Sequence, residues 1–175
     1  MKKLIVLMFL LSSLAQAKAP ATTLNGLFWE SPAPSHIEAL KNQYVPSPQS
    51  VGNLGNAQCY RKINDVNKVG NVAVESIDYC YINSFLAAVF YHAHTRKDNL
   101  QQIMLTVINK YGTSDAMINK DNLHVTSWKD AYNPGYIASV QFDAMEDTIE
   151  IMEANEPVVA QSIKDSQPKK KRKNH

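Results

Sequence analysis

The chain has 175 residues, 45% of them hydrophobic and 19% charged, with 18 basic and 16 acidic side chains for a formal net charge of +2. That length suits one core of ordinary size, and the near balance of charge leaves the body without the basic footprint of a nucleic-acid binder. No stretch approaches the roughly 18 consecutive apolar residues of a membrane-spanning helix, so no transmembrane segment is expected.

The first residues read as an address. Lys2 and Lys3 precede the unbroken apolar run Leu4 to Leu11, and Ala15-Gln16-Ala17 places small side chains where a signal peptidase reads them. This pattern predicts a cleavable signal peptide over residues 1–17, cut before Lys18. The short leader is of bacterial type, so the expected compartment is the periplasm, with secretion as the alternative. Lys169 to Arg172 and Lys173 form a basic run at the other end. In an exported protein that run reads as part of a flexible basic tail, residues 156–175, with weak contact to anionic surfaces and no nucleic-acid partner.

Residues 18–155 read as a single α+β domain, divisible into subdomains 24–94 and 95–155. Leu24 to Trp29 is a short apolar stretch punctuated by Ser31-Pro32-Ala33-Pro34. Ser35 and Glu38 make a capping box for a first helix whose face is Ile37, Leu40 and Tyr44, ended by Pro46 and Pro48. Three strands then follow, Ala57 to Ile63, Val72 to Ile82 and Phe85 to His94. Asn83-Ser84 is the expected two-residue turn of the second hairpin. That turn sets Cys80 opposite Ala87, Asp78 opposite Val89 and Ile77 opposite Phe90.

Cys59 and Cys80 are an even pair in an exported chain, which favours a disulfide. Register supports it. A loop of Lys68-Val69-Gly70-Asn71, with Asn67 opposite Val72, places Cys59 directly across from Cys80 and Arg61 across from Asp78. Directly opposed residues bring two cysteines within bonding range. Closing a loop of about 20 residues contributes roughly 2–4 kcal/mol.

Leu100, Ile103, Met104, Val107, Ile108 and Tyr111 recur at helical spacing, with Gly112 placed as the residue past the helix end. Leu123 to Trp128, Tyr136 to Phe142 and Thr148 to Met152 are the last strands. Asn133-Pro134-Gly135 and Asp143 to Asp147 are their turns, and Thr148 to Met152 reads as a half-buried edge. The expected fold is an antiparallel sheet with helices packed on it, in the order helix-β-β-β-helix-β-β-β, a tandem αβββ arrangement. In architecture alone this resembles small bacterial periplasmic proteins of the β-lactamase-inhibitor type.

No nucleophile elbow, zincin helix, phosphate-binding loop or dinucleotide glycine pattern is present. No cofactor or enzyme activity is expected. His92 and His94, two apart on one strand, share a side and could hold a metal if His36, Asp98 or His124 supplied a third ligand. Trp29, Trp128, Tyr132 and Tyr136 cluster in or beside predicted loops, where large amphipathic rings suit a protein–protein anchor. The leading expectation is therefore a small exported protein that binds another envelope or extracellular protein, as an inhibitor, immunity factor or envelope accessory. The alternatives are a metal-dependent periplasmic hydrolase using His92 and His94, or a carrier of a small apolar ligand held between helix and sheet.

Overall fold

The structure is a computed structural model and describes residues 21–36, 42–47, 54–94, 97–131 and 133–167. The predicted leader, residues 37–41 of the predicted first helix, Tyr132 and the basic run lie outside them. Among the described residues the chain runs β1 (Tyr44–Pro46), β2 (Gln58–Lys62), β3 (Lys68–Val69), β4 (Val72–Ala73), β5 (Ser76–Ile82), β6 (Phe85–His94) and α1 (Lys97–Tyr111). It continues through β7 (Ala116–Lys120), β8 (Leu123–Lys129), β9 (Tyr136–Asp143), β10 (Thr148–Asn155) and α2 (Glu156–Ser166). Eight strands form one antiparallel sheet in the order β1-β2-β5-β6-β10-β9-β8-β7, and β3-β4 make a separate ribbon.

The α+β class and the antiparallel sheet with two packed helices are as the sequence predicts. The order of elements is not. Two four-strand meanders, β1-β2-β5-β6 and β7-β8-β9-β10, are each followed by a helix, and their last strands pair at the centre. Pro34–His36 form one 3₁₀ turn, and Tyr44, expected on a helix face, lies in β1. Thr148 to Met152, expected at an edge, lies in central β10, between β6 and β9.

Residues 156–166, expected in the tail, form α2. Asn155 caps it by accepting from the Val158 N–H, and Pro157 sits in the first turn, where a missing N–H costs nothing. Ser162 of α2 is buried against the 54–56 loop, donating to Leu54 O at 3.2 Å and accepting from Asn56 N at 3.1 Å.

The hairpins follow from local chemistry. Asn83 and Ser84 take φ of 49° and 70°, the left-handed pair that a two-residue turn between twisted strands requires. Ile82 faces Phe85 and Tyr81 faces Leu86 as expected, but Cys80 then faces Ala88, because the register shifts between Cys80 and Tyr81. Ala87 is the extra residue of a β-bulge, and from there on every β6 side chain changes face. Val89, Tyr91 and Ala93 join Ile77 and Tyr79 in the main core, while Ala88 and Phe90 turn to the other side with Cys80.

Cys59 and Cys80 pair directly across β2 and β5, 4.0 Å apart at Cα, and form the disulfide; Arg61 faces Asp78 in the same ladder. The route differs from the predicted loop. Lys68 pairs with Ala73 and Val69 with Val72, around a tight Gly70-Asn71 turn. Gly70 has φ 58°, and a Cβ there would come within 2.6 Å of Thr106 Oγ1 on α1. Glycine lets the ribbon lie on the helix.

One face of the sheet carries the main core, covered by α1 through Ile103, Val107 and Tyr111, by the ribbon, and by Trp29 and Ala33 of the N-terminal segment. The other face has a smaller cluster, Leu54, Cys80, Ala88 and Ala154, with Val159 of α2 packed against it.

Candidate functional site

The predicted aromatic anchors are largely inside. Trp128 is 1% exposed and Trp29 3%, so neither presents a ring to a partner. Trp29 packs its ring 5.0 Å from that of half-buried Tyr136. The 130–136 loop is held locally: Asp130 accepts from Asn133 N at 2.9 Å and from Asn133 Nδ2 at 3.0 Å. Proximity to loops signalled the aromatics, but the alternation of β8 puts Trp128 on the core side with Thr126.

His92 and His94 do share a side, and each meets carboxylates. His94 Nε2 lies 3.1 Å from Glu75 Oε1 at the surface. His92 lies between Asp78, 3.3 Å from Nε2, and Glu150, 3.5 Å from Nδ1. The Nε2 contact lacks the geometry of a directed hydrogen bond. His124 pairs with Phe142, in line with Ile149 and Ala93, on the opposite face of the sheet. It cannot complete a site with His92. Among the described residues no group of three or more His, Cys, Asp or Glu side chains is placed to hold a metal ion.

Asp78 is buried at the centre of this cluster. Arg61 donates to it twice, Nε to Oδ1 at 3.0 Å and an Nη to Oδ2 at 2.9 Å. Burial alone would raise the carboxyl, but His92, Arg61 and Ser47 together overcome that and hold it at about 2. A folded-state value below that of the unfolded chain stabilises the fold above pH 4 and loses that contribution as pH falls toward 2. The effect amounts to about 2 kcal/mol. Denaturant titrations from pH 5 to 2.5 are expected to show this slope, and Asp78→Asn is expected to flatten it. An equally steep slope in the variant would assign acid sensitivity elsewhere.

A second buried carboxylate was hidden in the sequence. Glu153 of β10 is fully buried. It accepts from Leu24 N at 2.7 Å, Tyr91 Oη at 2.5 Å, Lys110 Nζ at 3.1 Å and Tyr111 Oη. Burial, and next the Glu153 charge, push the Tyr91 and Tyr111 phenols well above their usual range. The network continues outward: Asn25 Nδ2 donates to Tyr79 Oη at 2.6 Å, and Tyr79 Oη donates to Asp65 at 2.7 Å. Ile149, Ile151 and Glu153 have one parity, so the alternation does point Glu153 inward. Its partners come from three distant segments, and no local pattern shows them.

The two edges of the sheet contrast. β1 has three residues and ends in Pro46, which lacks an N–H and blunts further pairing. β7 is exposed at all five positions and, among the described residues, pairs only with β8. Met117 is 63% and Ile118 62% exposed, on opposite faces of that strand. A long open edge with apolar side chains is a template for another strand. A surface groove of about 390 Å³ lies between α2 and the β5–β6 turn, lined by Ile82, Phe85, Pro157 and Val158 among others; it is open at the rim rather than enclosed between helix and sheet.

Comparison with known proteins returns no matching family model, no matching curated protein and no matching solved structure.

Proposed function

We propose that the chain is a small exported protein that binds another protein of the envelope or the extracellular space by accepting an extended segment of it along β7. The observation that carries this reading is the outer edge of β7, which has no partner strand among the described residues and is flanked by exposed Met117 and Ile118. An added strand would satisfy the outward N–H and C=O groups. Alternate side chains would pack on Met117 from one face and Ile118 from the other, the usual division between main-chain affinity and side-chain specificity. The Cys59–Cys80 disulfide suits an oxidising compartment.

The test places a photo-crosslinking residue at position 118 in protein produced in its native envelope. A discrete partner should be trapped there, and Asn119→Pro, which removes an edge N–H, should lower the yield about tenfold with the fold intact. Equal crosslinking from exposed Leu105 on α1 would count against the strand edge as the binding site.

A further inference from the structure

The N-terminal segment of the described chain is tied to the core in an unusual way. Residues 21–29 bond chiefly to themselves. Thr23 N donates to Leu27 O at 2.8 Å, Gly26 N to Thr23 O at 2.9 Å and Trp29 N to Ala21 O at 3.3 Å, with Thr22 and Phe28 bridged. The segment is a closed turn laid on the core face, not a strand of the sheet. Its polar attachments to the rest converge on one place. Leu24 N donates to Glu153, Thr22 O accepts from Lys110 Nζ, and Asn25 meets Tyr79 and Tyr91.

The Glu153 carboxylate thus accepts from the N–H of Leu24, and the Lys110 ammonium beside it donates to the C=O of Thr22, two positions away. Both of these contacts are to main chain, and the Asn25 side chain adds two more. The apolar grip is lighter, since Leu24 and Leu27 are only partly buried and Phe28 is exposed. Trp29 is the one deeply buried ring.

We propose that Glu153, Lys110, Tyr91 and Tyr111 form a socket for the turn at residues 22–25, and that residues 21–29 are a latch able to leave as a unit while the sheet stays folded. Lifting the latch breaks no ladder bond of β5, β6 or β10. It does strip one donor from Glu153 and the carbonyl from Lys110, so opening uncovers a carboxylate beside an ammonium. Regions that open separately from the global unfolding show it in native-state amide exchange.

The test is hydrogen exchange on the full-length oxidised protein, with rising sub-denaturing concentrations of guanidinium. The amides of Thr23, Gly26 and Trp29 are expected to exchange through an opening distinct from that of β5, β6 and β10. Leu24→Pro removes the donor to Glu153 at a turn position that accepts proline, and Asn25→Ala removes the side chain that meets Tyr79 and Tyr91. Each should speed exchange over residues 21–29 at least tenfold, roughly, while the central strands change less than about twofold. Exchange of the segment only with global unfolding in the unmodified protein would overturn the proposal. So would variants that loosen segment and sheet alike.

Discussion

Glu153→Ala is expected to destabilise the protein by about 3–5 kcal/mol, the range for breaking a buried charged cluster by deleting one member. The carboxylate is fully buried and satisfies four donors at once. Truncation leaves two phenols and the Leu24 N–H facing a hollow, each without its acceptor, and that desolvation is the larger part of the cost. Lys110 is partly exposed and can recover water. Guanidinium unfolding of the oxidised protein at pH 7 measures the loss, as a lower midpoint at unchanged slope. Replacing the whole polar set by apolar groups should be milder. Glu153→Met combined with Tyr91→Phe and Tyr111→Phe is expected to lose less than Glu153→Met alone, because no buried hydroxyl is then stranded. A loss below about 1 kcal/mol for Glu153→Ala would show that solvent reaches the site in the native state.

Trp128→Ala is expected to cost about 3–5 kcal/mol, from lost transfer energy and the cavity left under the sheet. For a chain of this size that corresponds to a fall in melting temperature of roughly 6–20 °C. Trp128→Phe should cost about half as much or less, since it keeps a ring in place. The indole Nε1 is buried with no acceptor among the described residues, so no hydrogen bond goes with it. This pair of variants separates packing from partner binding. A Trp128→Ala protein of unchanged stability would contradict a core position for the ring.

Much of the fold was legible wherever the signal is local. The Asn83-Ser84 turn, the ends of β6 and the Gly112 stop of α1 follow from residue types within a few positions, and the Cys59–Cys80 pairing, 21 residues apart, from residue type and strand register. Gly112 has φ 87° and donates to Ile108 O at 2.8 Å, as a residue past a helix end does. What escaped depends on the rest of the chain. The Ala87 bulge is favoured by packing on both sides of β6, which no window of sequence contains. β7 reads Ala-Met-Ile-Asn-Lys, with neighbouring apolar residues where an alternating strand would have one, because both of its faces are exposed. The start of α2 could have been read, since Asn155-Glu156-Pro157 is a cap, an acidic first turn and a proline in one. Its short apolar face, without large core side chains, made it look like tail. The candidate site divides the same way: the histidines and aromatics advertise themselves by type, whereas an open strand edge is a property of topology.

The pairing of β6 with β10 imposes an order on assembly. β6 is complete early in the chain, yet its second neighbour is the last strand to be made. Until β10 arrives, one side of β6 has no ladder partner, and the first meander cannot close its core. The Leu24–Glu153 bond binds the beginning of the described chain to that same late strand. Contacts of such sequence separation must bear the entropy of closing a long loop before they return any stability. On the ribosome, β6 therefore gains its second neighbour only once residues 148–155 have been made.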